Sequence, residues 1–256
     1  MTIVPVIFTY SLDGPCAIEA AGALRDSGFA RVFVFEDAHR PLEPATRSAI
    51  TKHAVMLKSY HPNPGGQYGL ECLKGIISCH ARALDLSGAG YVLEVDSDTI
   101  VHRTGRIIQA AKDGVSAAAM SWPGCSFAGC CALISKRTIH HAVKLLADPP
   151  PWIDRERCPE DSTIGKIADG VGTVVRWPYC ESGGFGAGYR YGTTPLSEYA
   201  RRFDVVTLGN RALIPGRPCE KRETVAVAMS RLRAEYRRLE EREAPAAPVE
   251  PRRAAR

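Results

Sequence analysis

Two carboxylates one residue apart, Asp96 and Asp98, follow an apolar segment of high β propensity at residues 91–95. Ligands of open α/β sheets bind outside the carboxyl ends of the strands, which is where these two side chains would lie. Carboxylate oxygens are preferred ligands of Mg²⁺ and Mn²⁺, and a divalent cation held there can bind a diphosphate. The pattern therefore indicates a metal-dependent diphosphate site, although two Asp residues that cap a turn would have the same spacing.

A second acidic pair, Glu160 and Asp161, opens a predicted helix over residues 160–167. A carboxylate in this position could act as a general base that deprotonates an acceptor hydroxyl. Acidic residues are also common in the first turn of helices, because the positive end of the helix dipole favours them. The pair is thus a candidate catalytic group or a structural one.

A third motif, at residues 126–136, contains small residues, a predicted strand at 130–135, and Ser135 at the start of a predicted helix over 136–146. Small residues at a strand are typical of backbone that lies close to a ligand. Alone, this motif is a weak functional signal.

In this order, the three motifs resemble the GT-A glycosyltransferases, and among them the inverting Fringe and beta-1,3-galactosyltransferase type. That family has an acidic triplet followed by Thr, an aromatic residue and Val, and here Asp-Ser-Asp-Thr-Ile-Val stands at 96–101. It then has a Gly/Ala-rich strand that ends in Ser before a helix, matched at 128–136. Finally it has Pro, two acidic residues and a Thr-hydrophobic-Gly ending, matched at 159–165. The resemblance spans about residues 1–210, and its specific motifs lie within 91–101 and 126–165.

The resemblance implies transfer of a sugar, with inversion, from a nucleoside-diphosphate sugar, with UDP favoured, to an acceptor hydroxyl. Asp98 would bind Mn²⁺ or Mg²⁺ directly, and Asp96 would support it through the ribose or a metal-bound water. Asp161 would be the catalytic base, and Glu160 would orient it or the acceptor. The donor would contact polar residues after the first, second and fourth strands, namely Thr9, Ser11, Asp37, Asp96, Ser97 and Asp98.

The sequence departs from the family in its metal ligands. The family usually supplies a late His, whereas all seven His of this chain precede Asp161. The third ligand would then be Asp204, Asn210, Glu181 or water. His102, which follows the first motif closely, is expected to have a surface or core role.

Other functions fit parts of the pattern. A haloacid-dehalogenase-type phosphohydrolase also places Asp-x-Asp after an apolar strand, but that motif usually starts the chain and has Thr where Ile100 stands here. A sugar-phosphate nucleotidyltransferase would need a Gly-rich basic loop after the first strand, and residues 9–15 contain one Gly and no Lys or Arg. A non-catalytic nucleotide- or carbohydrate-binding module on the same fold is the non-enzyme alternative. The acceptor stays open between a glycan, a protein, a lipid head group, a small molecule and hydroxymethylated DNA.

The elements that must position these residues alternate along the chain. Strands are predicted at 3–9, 31–35, 54–58, 91–95, 116–121, 130–135, 173–177 and 203–208. Helices are predicted at 16–27, 44–53, 68–86, 106–112, 136–146 and 160–167. This order predicts an α/β fold, a GT-A-like and Rossmann-like, mostly parallel twisted sheet with helices on both faces. Five glycines within 183–192 predict a mobile loop that could close over the donor.

A C-terminal helix is predicted over 224–242. Its apolar residues form a heptad seam that would either dock on the chain's own domain or form a homodimer: Val225, Met229, Leu232, Tyr236 and Leu239. We expect a glycosyltransferase domain at 1–215, this charged helix within 216–243, and a disordered Pro/Ala/Arg-rich tail at 244–256.

Composition limits the remaining possibilities. The chain has 256 residues, 45% of them hydrophobic and 24% charged, as in an ordinary globular domain. Of its net charge of +5, three charges come from residues 220–256, so the net charge says little about the acidic pocket. No apolar run approaches the ~18–20 residues that span a bilayer. The absence of a signal-peptide pattern, and nine cysteines with no Cys-x-x-Cys pair, favour reduced thiols and a cytoplasmic protein.

Overall fold

The computed structural model describes residues 2–60, 69–122, 125–156, 158–179, 183–189, 194–208 and 218–243, with side chains of the last range described from residue 225. Its strands are β1 (Ile3–Thr9), β2 (Phe33–Asp37), β3 (Val55–Ser59), β4 (Tyr91–Val95), β5 (Thr99–Val101), β6 (Ala117–Trp122), β7 (Cys125–Ser135), β8 (Val174–Pro178), β9 (Gly184–Gly188) and β10 (Phe203–Thr207). Its helices are α1 (Gly14–Asp26), α2 (Pro44–Thr51), α3 (Leu70–Ser87), α4 (Gly105–Lys112), α5 (Lys136–Ala147), α6 (Glu160–Val171), α7 (Leu196–Arg202) and α8 (Pro218–Glu243).

Seven strands form the central sheet, in the order β3-β2-β1-β4-β7-β6-β8. All neighbours pair in parallel except β7, which runs antiparallel to both β4 and β6. The six other strands therefore end at one common edge, which we call the carboxyl edge. The predicted mostly parallel α/β sheet is confirmed.

Side chains of successive residues point to opposite faces of a strand, and this alternation builds two cores. In β4, Tyr91, Leu93 and Val95 join the core that contains α1 and α8, whereas Val92 joins the core that contains α3, α5 and α6. The predicted placement of helices on both faces is confirmed.

Local signals mark several helix ends as expected. Ser135 caps α5, because its hydroxyl accepts the Thr138 N–H at 3.1 Å. Gly88 ends α3 in the left-handed conformation at φ 67°, which favours glycine. The predicted bounds agree for β1 and β4, and most others shift by one or two residues. Three elements are longer than predicted by four residues or more, since β7 begins five residues earlier, α6 ends four residues later and α8 begins six residues earlier.

A second sheet, in the order β5-β10-β9, corrects the prediction for the Gly-rich segment. Residues 184–188 are a strand parallel to β10 rather than a mobile loop. Glycine fits this strand because neighbouring side chains cross it, and a Cβ atom at Gly186 would overlap the Met120 sulfur. The short β5 and the helix α7 were not predicted. Residues 190–192 of the predicted loop lie outside the described residues.

The C-terminal helix docks on its own domain. α8 packs against α1 and α7, and Met229, Leu232 and Tyr236 of the predicted seam are at most 3% exposed. Arg233 and Arg237 also bind Asp26 of α1. Docking is therefore confirmed. A homodimer through residues 224–242 stays a prediction, and it would have to use the other face of the helix. The tail at 244–256 lies outside the described residues.

Two further expectations can be compared with the structure. The cysteines at 16, 72, 79, 125, 130, 131 and 158 are all free thiols, as predicted for them. Within the described part of the chain, no helix is long and apolar enough to cross a membrane.

Candidate active site

The first acidic motif lies at the carboxyl edge, where β4 ends. Asp96 is exposed, Ser97 is 7% exposed and Asp98 is half-buried. The main chain here is held from both sides. The Asp96 N–H donates to the Cys130 carbonyl of β7 at 3.2 Å, and the Leu208 N–H, just after β10, donates to the Asp98 carbonyl at 2.9 Å. The motif is thus fixed between the two sheets.

The second acidic motif reaches the same edge from α6. The Gly129 N–H of β7 donates to the Asp161 carboxylate. A Cβ atom at Gly129 would overlap Asp161 Oδ1 and would lie 3.6 Å from Glu94 Oε1. The small residue predicted to allow a close ligand therefore allows a carboxylate to approach β7.

We define Glu94, Glu160 and Asp161 as the acidic cluster. Burial and the repulsion between neighbouring carboxylates favour the protonated forms of its members. Burial raises the pKa of Glu160 to about 8, with a further contribution from the charges of Asp161 and Asp96. Burial also raises the pKa of Asp161, partly offset by the Gly129 N–H. In the described part of the chain, no Lys or Arg forms an ion pair with the cluster. A group whose pKa is raised in this way is a candidate for proton transfer.

Glu94 was missed by sequence reasoning. It lies within β4, is 4% exposed, and has Oε2 3.4 Å from Nε2 of the fully buried His80. Burial raises the pKa of Glu94, with added repulsion from Glu160, Asp161 and Asp96, and burial lowers the pKa of His80 to about 3. Burial thus favours the neutral forms of both Glu94 and His80, which lie next to the acidic motifs. The available signal was a Glu in an otherwise apolar strand.

The predicted nucleotide-binding residues lie at the ends of β1 and β2, farther along the carboxyl edge. Thr9 is 2% exposed, and its hydroxyl has no hydrogen-bond partner among the described residues. The buried Asp37 accepts the His39 N–H and Arg40 Nε, both at 2.9 Å. The Ser11 N–H donates to the Arg40 carbonyl, and the Arg40 guanidinium lies 4.1 Å from the centre of the Tyr10 ring. Tyr10 and Arg40 are thus components of this region that the sequence did not reveal.

The third-ligand candidates are not supported by the described residues. Asp204 lies at the opposite end of β10 from Leu208, where it faces Arg103 at 3.7 Å and Arg106 at 3.6 Å. It is thus a structural partner of two arginines. Glu181 and Asn210 lie outside the described residues. His102 stacks on Tyr236 of α8 with ring centres 3.8 Å apart, in line with the expected surface or core role.

The donor set still suits a hard divalent cation. The described residues contain no group of three or more His, Cys, Asp or Glu side chains that could hold a metal ion. Of the described residues, Asp96 and Asp98 would therefore be the ones that hold the ion. One or two carboxylates completed by substrate phosphates and water is a usual arrangement for Mg²⁺. In this arrangement, the diphosphate of the donor binds together with the ion and supplies part of its coordination.

Comparisons with known proteins identify the fold. No family model and no curated protein matches the sequence. An active-site mutant of the galactosyltransferase LgtC superimposes with a TM-score of 0.52 and 13% identity, over 88% of this chain and 95% of LgtC. A glycosyltransferase involved in glycosylation of the major capsid of PBCV-1 superimposes with a TM-score of 0.54 and 9% identity, over 89% of this chain and 100% of that glycosyltransferase. The chain therefore has the GT-A fold of these glycosyltransferases.

Proposed function

We propose that this protein is a glycosyltransferase that moves a sugar from a nucleoside-diphosphate sugar, with UDP as the nucleotide, to an acceptor hydroxyl with inversion. The observation that carries the proposal is the convergence of two acidic motifs, from β4 and α6, on the carboxyl edge of a glycosyltransferase fold. Inversion, UDP and the Fringe-type subgroup rest on the motif resemblance.

The donor would lie along the carboxyl edge from β2 to β4. Thr9, Ser11 and Asp37 would bind the base and ribose, with the Tyr10–Arg40 pair beside them. Asp98 and Asp96 would hold Mn²⁺ or Mg²⁺, which would neutralise charge on the departing nucleoside diphosphate. Ser97, fixed between them, would contact the donor.

Asp161 would act as the general base. Its carboxylate would take the proton of the acceptor hydroxyl as that oxygen bonds to the anomeric carbon. The bond from this carbon to the diphosphate oxygen would break, and its electron pair would leave with the diphosphate. Because burial raises the pKa of Asp161, transfer should increase with pH above the usual range of an Asp. Glu160, protonated up to a pH of about 8, would donate a hydrogen bond that orients the acceptor.

A thermal-shift screen of nucleotide-sugars, with and without Mn²⁺, tests the proposal. A ligand at 100 times its Kd stabilises the folded state by about 2.7 kcal/mol. We expect stabilisation by a UDP-sugar only when Mn²⁺ is present, together with release of free UDP. Binding without release would indicate the non-catalytic binding module. Absence of both would contradict the proposal.

A further inference from the structure

An arginine lies against an aromatic ring at the carboxyl edge, where β1 and β2 end. The Arg40 guanidinium is 4.1 Å from the centre of the Tyr10 ring, and its Nε donates to the Asp37 carboxylate at 2.9 Å. The side chain of Arg40 is 40% exposed, whereas that of Asp37 is 1% exposed. Of these two charged groups, Arg40 is therefore the one that a ligand at this edge can reach.

The loop that carries this arginine is anchored to the strands on both sides of β2. The Ser11 N–H, just after β1, donates to the Arg40 carbonyl at 3.0 Å. The Ala38 N–H donates to the carbonyl of Ser59, the last residue of β3, at 2.8 Å. The backbone of the loop and the guanidinium are thus both held in place. A ligand that binds a preorganised group does not bear the entropy cost of ordering a long side chain.

The proposed cation site lies two strands away on the same edge. Thr9 of β1 is the register partner of Glu36 in β2, and Ile7 of β1 is the partner of Val95 in β4. Neighbouring strands lie about 4.8 Å apart, so the ends of β2 and β4 are about 10 Å apart. A nucleoside diphosphate, whose ribose separates the base from the diphosphate, spans a distance of this order. With its diphosphate at the end of β4, its base would lie at the end of β2.

The anchor of the arginine and the acidic cluster lie on one face of the sheet. Phe35 of β2 packs in the core that contains α3, α5 and α6, and Asp37, two residues later, points to the same face. Val92 of β4 packs in that core too, and Glu94 follows it by two residues. The helix α6, which carries Asp161, covers this same face. One donor molecule could therefore contact the arginine and the proposed base.

We propose that Arg40 selects the base of the donor nucleotide, and that it favours uracil over cytosine. This inference rests on the proposed function and names the residue that would set its nucleotide. A guanidinium has five N–H donors and no acceptor, so it binds base edges that present carbonyl oxygens. Uracil has such an oxygen, O4, where cytosine has the N4 amino group, which is a donor. Asp37 would then serve the base subsite by holding the guanidinium.

Calorimetry with UDP and with CDP, each in the presence of Mn²⁺, tests the selection, because the two nucleotides share the ribose and the diphosphate. The variants are Arg40→Ala and Arg40→Lys. The matched control is Arg137→Ala, an exposed arginine of α5 at the opposite edge of the sheet. We expect wild type to bind UDP about tenfold more tightly than CDP, as one arginine–base contact would provide. In Arg40→Ala, the Kd for UDP should rise about tenfold and the Kd for CDP should stay within about twofold.

The other variants separate the guanidinium from its charge. Arg40→Lys keeps the positive charge but lacks the planar fork of donors, so it should regain little of the selectivity. Arg137→Ala should match wild type. CDP binding that persists in Arg40→Ala would show that this variant is folded. Equal weakening of UDP and CDP in Arg40→Ala would place the arginine on the ribose or the diphosphate and would overturn the selection.

Failure of this inference and failure of the proposed function have separate signatures. Wild type that binds UDP and CDP equally, and that releases the nucleotide from sugar donors, would overturn the selection and leave sugar transfer intact. Selective UDP binding that disappears in Arg40→Ala, without release of UDP from any UDP-sugar, would support the selection and contradict sugar transfer. Binding of neither nucleotide by wild type would overturn both.

Discussion

Two buried acidic regions of the same sheet edge differ in how their charge is balanced. At the end of β2, Glu36 is 2% exposed and accepts Arg47 Nη2 at 2.6 Å and the Leu42 N–H at 2.7 Å. Beside it, Asp37 binds Arg40. At the end of β4, Glu94, Glu160 and Asp161 have one another as neighbours, and their pKa values are raised.

The difference separates Glu36, an acid that holds the fold, from acids that are available for chemistry. Glu36 accepts hydrogen bonds from Arg47 and in turn raises the pKa of that guanidinium. An acid buried near other acids holds its proton to a higher pH and can exchange it near neutrality. Among the described residues, no Lys or Arg pairs with the acidic cluster, so the free-energy cost of burying it is understandable as a requirement of function.

The substitution with the largest expected effect on the proposed chemistry is Asp98→Ala. Because Asp98 is proposed to hold the cation, we expect loss of Mn²⁺-dependent UDP binding in calorimetry and transfer below detection. The control is Asp85→Ala, an exposed residue of α3. UDP binding as tight as in wild type would show that the metal assignment is wrong.

Asp161→Asn should lower the transfer rate by about 10²–10⁴-fold, because the acceptor would lose its general base. Donor binding, measured by the same calorimetry, should persist. Asp169→Asn, an exposed position of the same helix paired with Arg176, is the control and should keep full activity. Near-normal turnover of Asp161→Asn would show that another residue is the general base, and Glu160 would be tested next.

Glu36→Gln tests the structural side of the comparison. It removes a charged acceptor from Arg47 and Leu42, so the free energy of unfolding should fall by about 1–3 kcal/mol in urea denaturation. Activity per folded molecule should change little. Glu71→Gln, which removes a partner of an exposed pair, should cost less than about 1 kcal/mol. A Glu36→Gln variant that keeps full stability but loses activity would show that Glu36 serves the reaction rather than the fold.

Glu160→Gln should change the pH dependence of stability. The pKa of Glu160 is about 8 in the folded protein and near its ordinary value of 4.5 in the unfolded chain. Between these values the folded state binds more protons, so wild-type stability falls as pH rises from about 4.5 to about 8. The Glu160→Gln variant lacks this contribution, so its stability relative to that of wild type should increase as pH rises across that window. Parallel curves of melting temperature against pH would contradict the shift.

Much of the fold was predictable because strand and helix signals are local. The alternation of apolar segments and the Gly and Ser signals at helix ends predicted the central sheet and its helices. The Gly-rich β9 was misread, since its glycines accommodate Met120, which is distant in sequence, and Tyr179, which lies just after β8. β7 began earlier than expected because Ala128 and Gly129 have low β propensity, and this part of the strand forms through pairing with β6.

The site was predictable where its residues are neighbours in sequence. Asp96 with Asp98, and Glu160 with Asp161, are visible as motifs, and the parallel sheet brings them to one edge. The Glu94–His80 contact joins β4 to the helix before it and depends on how the two pack. The Asp204 suggestion failed for the same reason, because the antiparallel pairing of β10 with β5 carries it away from Asp98.

The most direct test of the central claim is the product of a single reaction. Wild-type protein is incubated with a panel of UDP-sugars, Mn²⁺ and acceptors of each open class, namely methyl glycosides, a Ser/Thr peptide, octanol and a hydroxymethylated DNA duplex, and the products are analysed by mass spectrometry. The account predicts free UDP and an acceptor enlarged by one sugar residue, both dependent on Mn²⁺. Intact donor across the panel, with or without Mn²⁺, would contradict the assignment of this carboxyl edge as a sugar-transfer site.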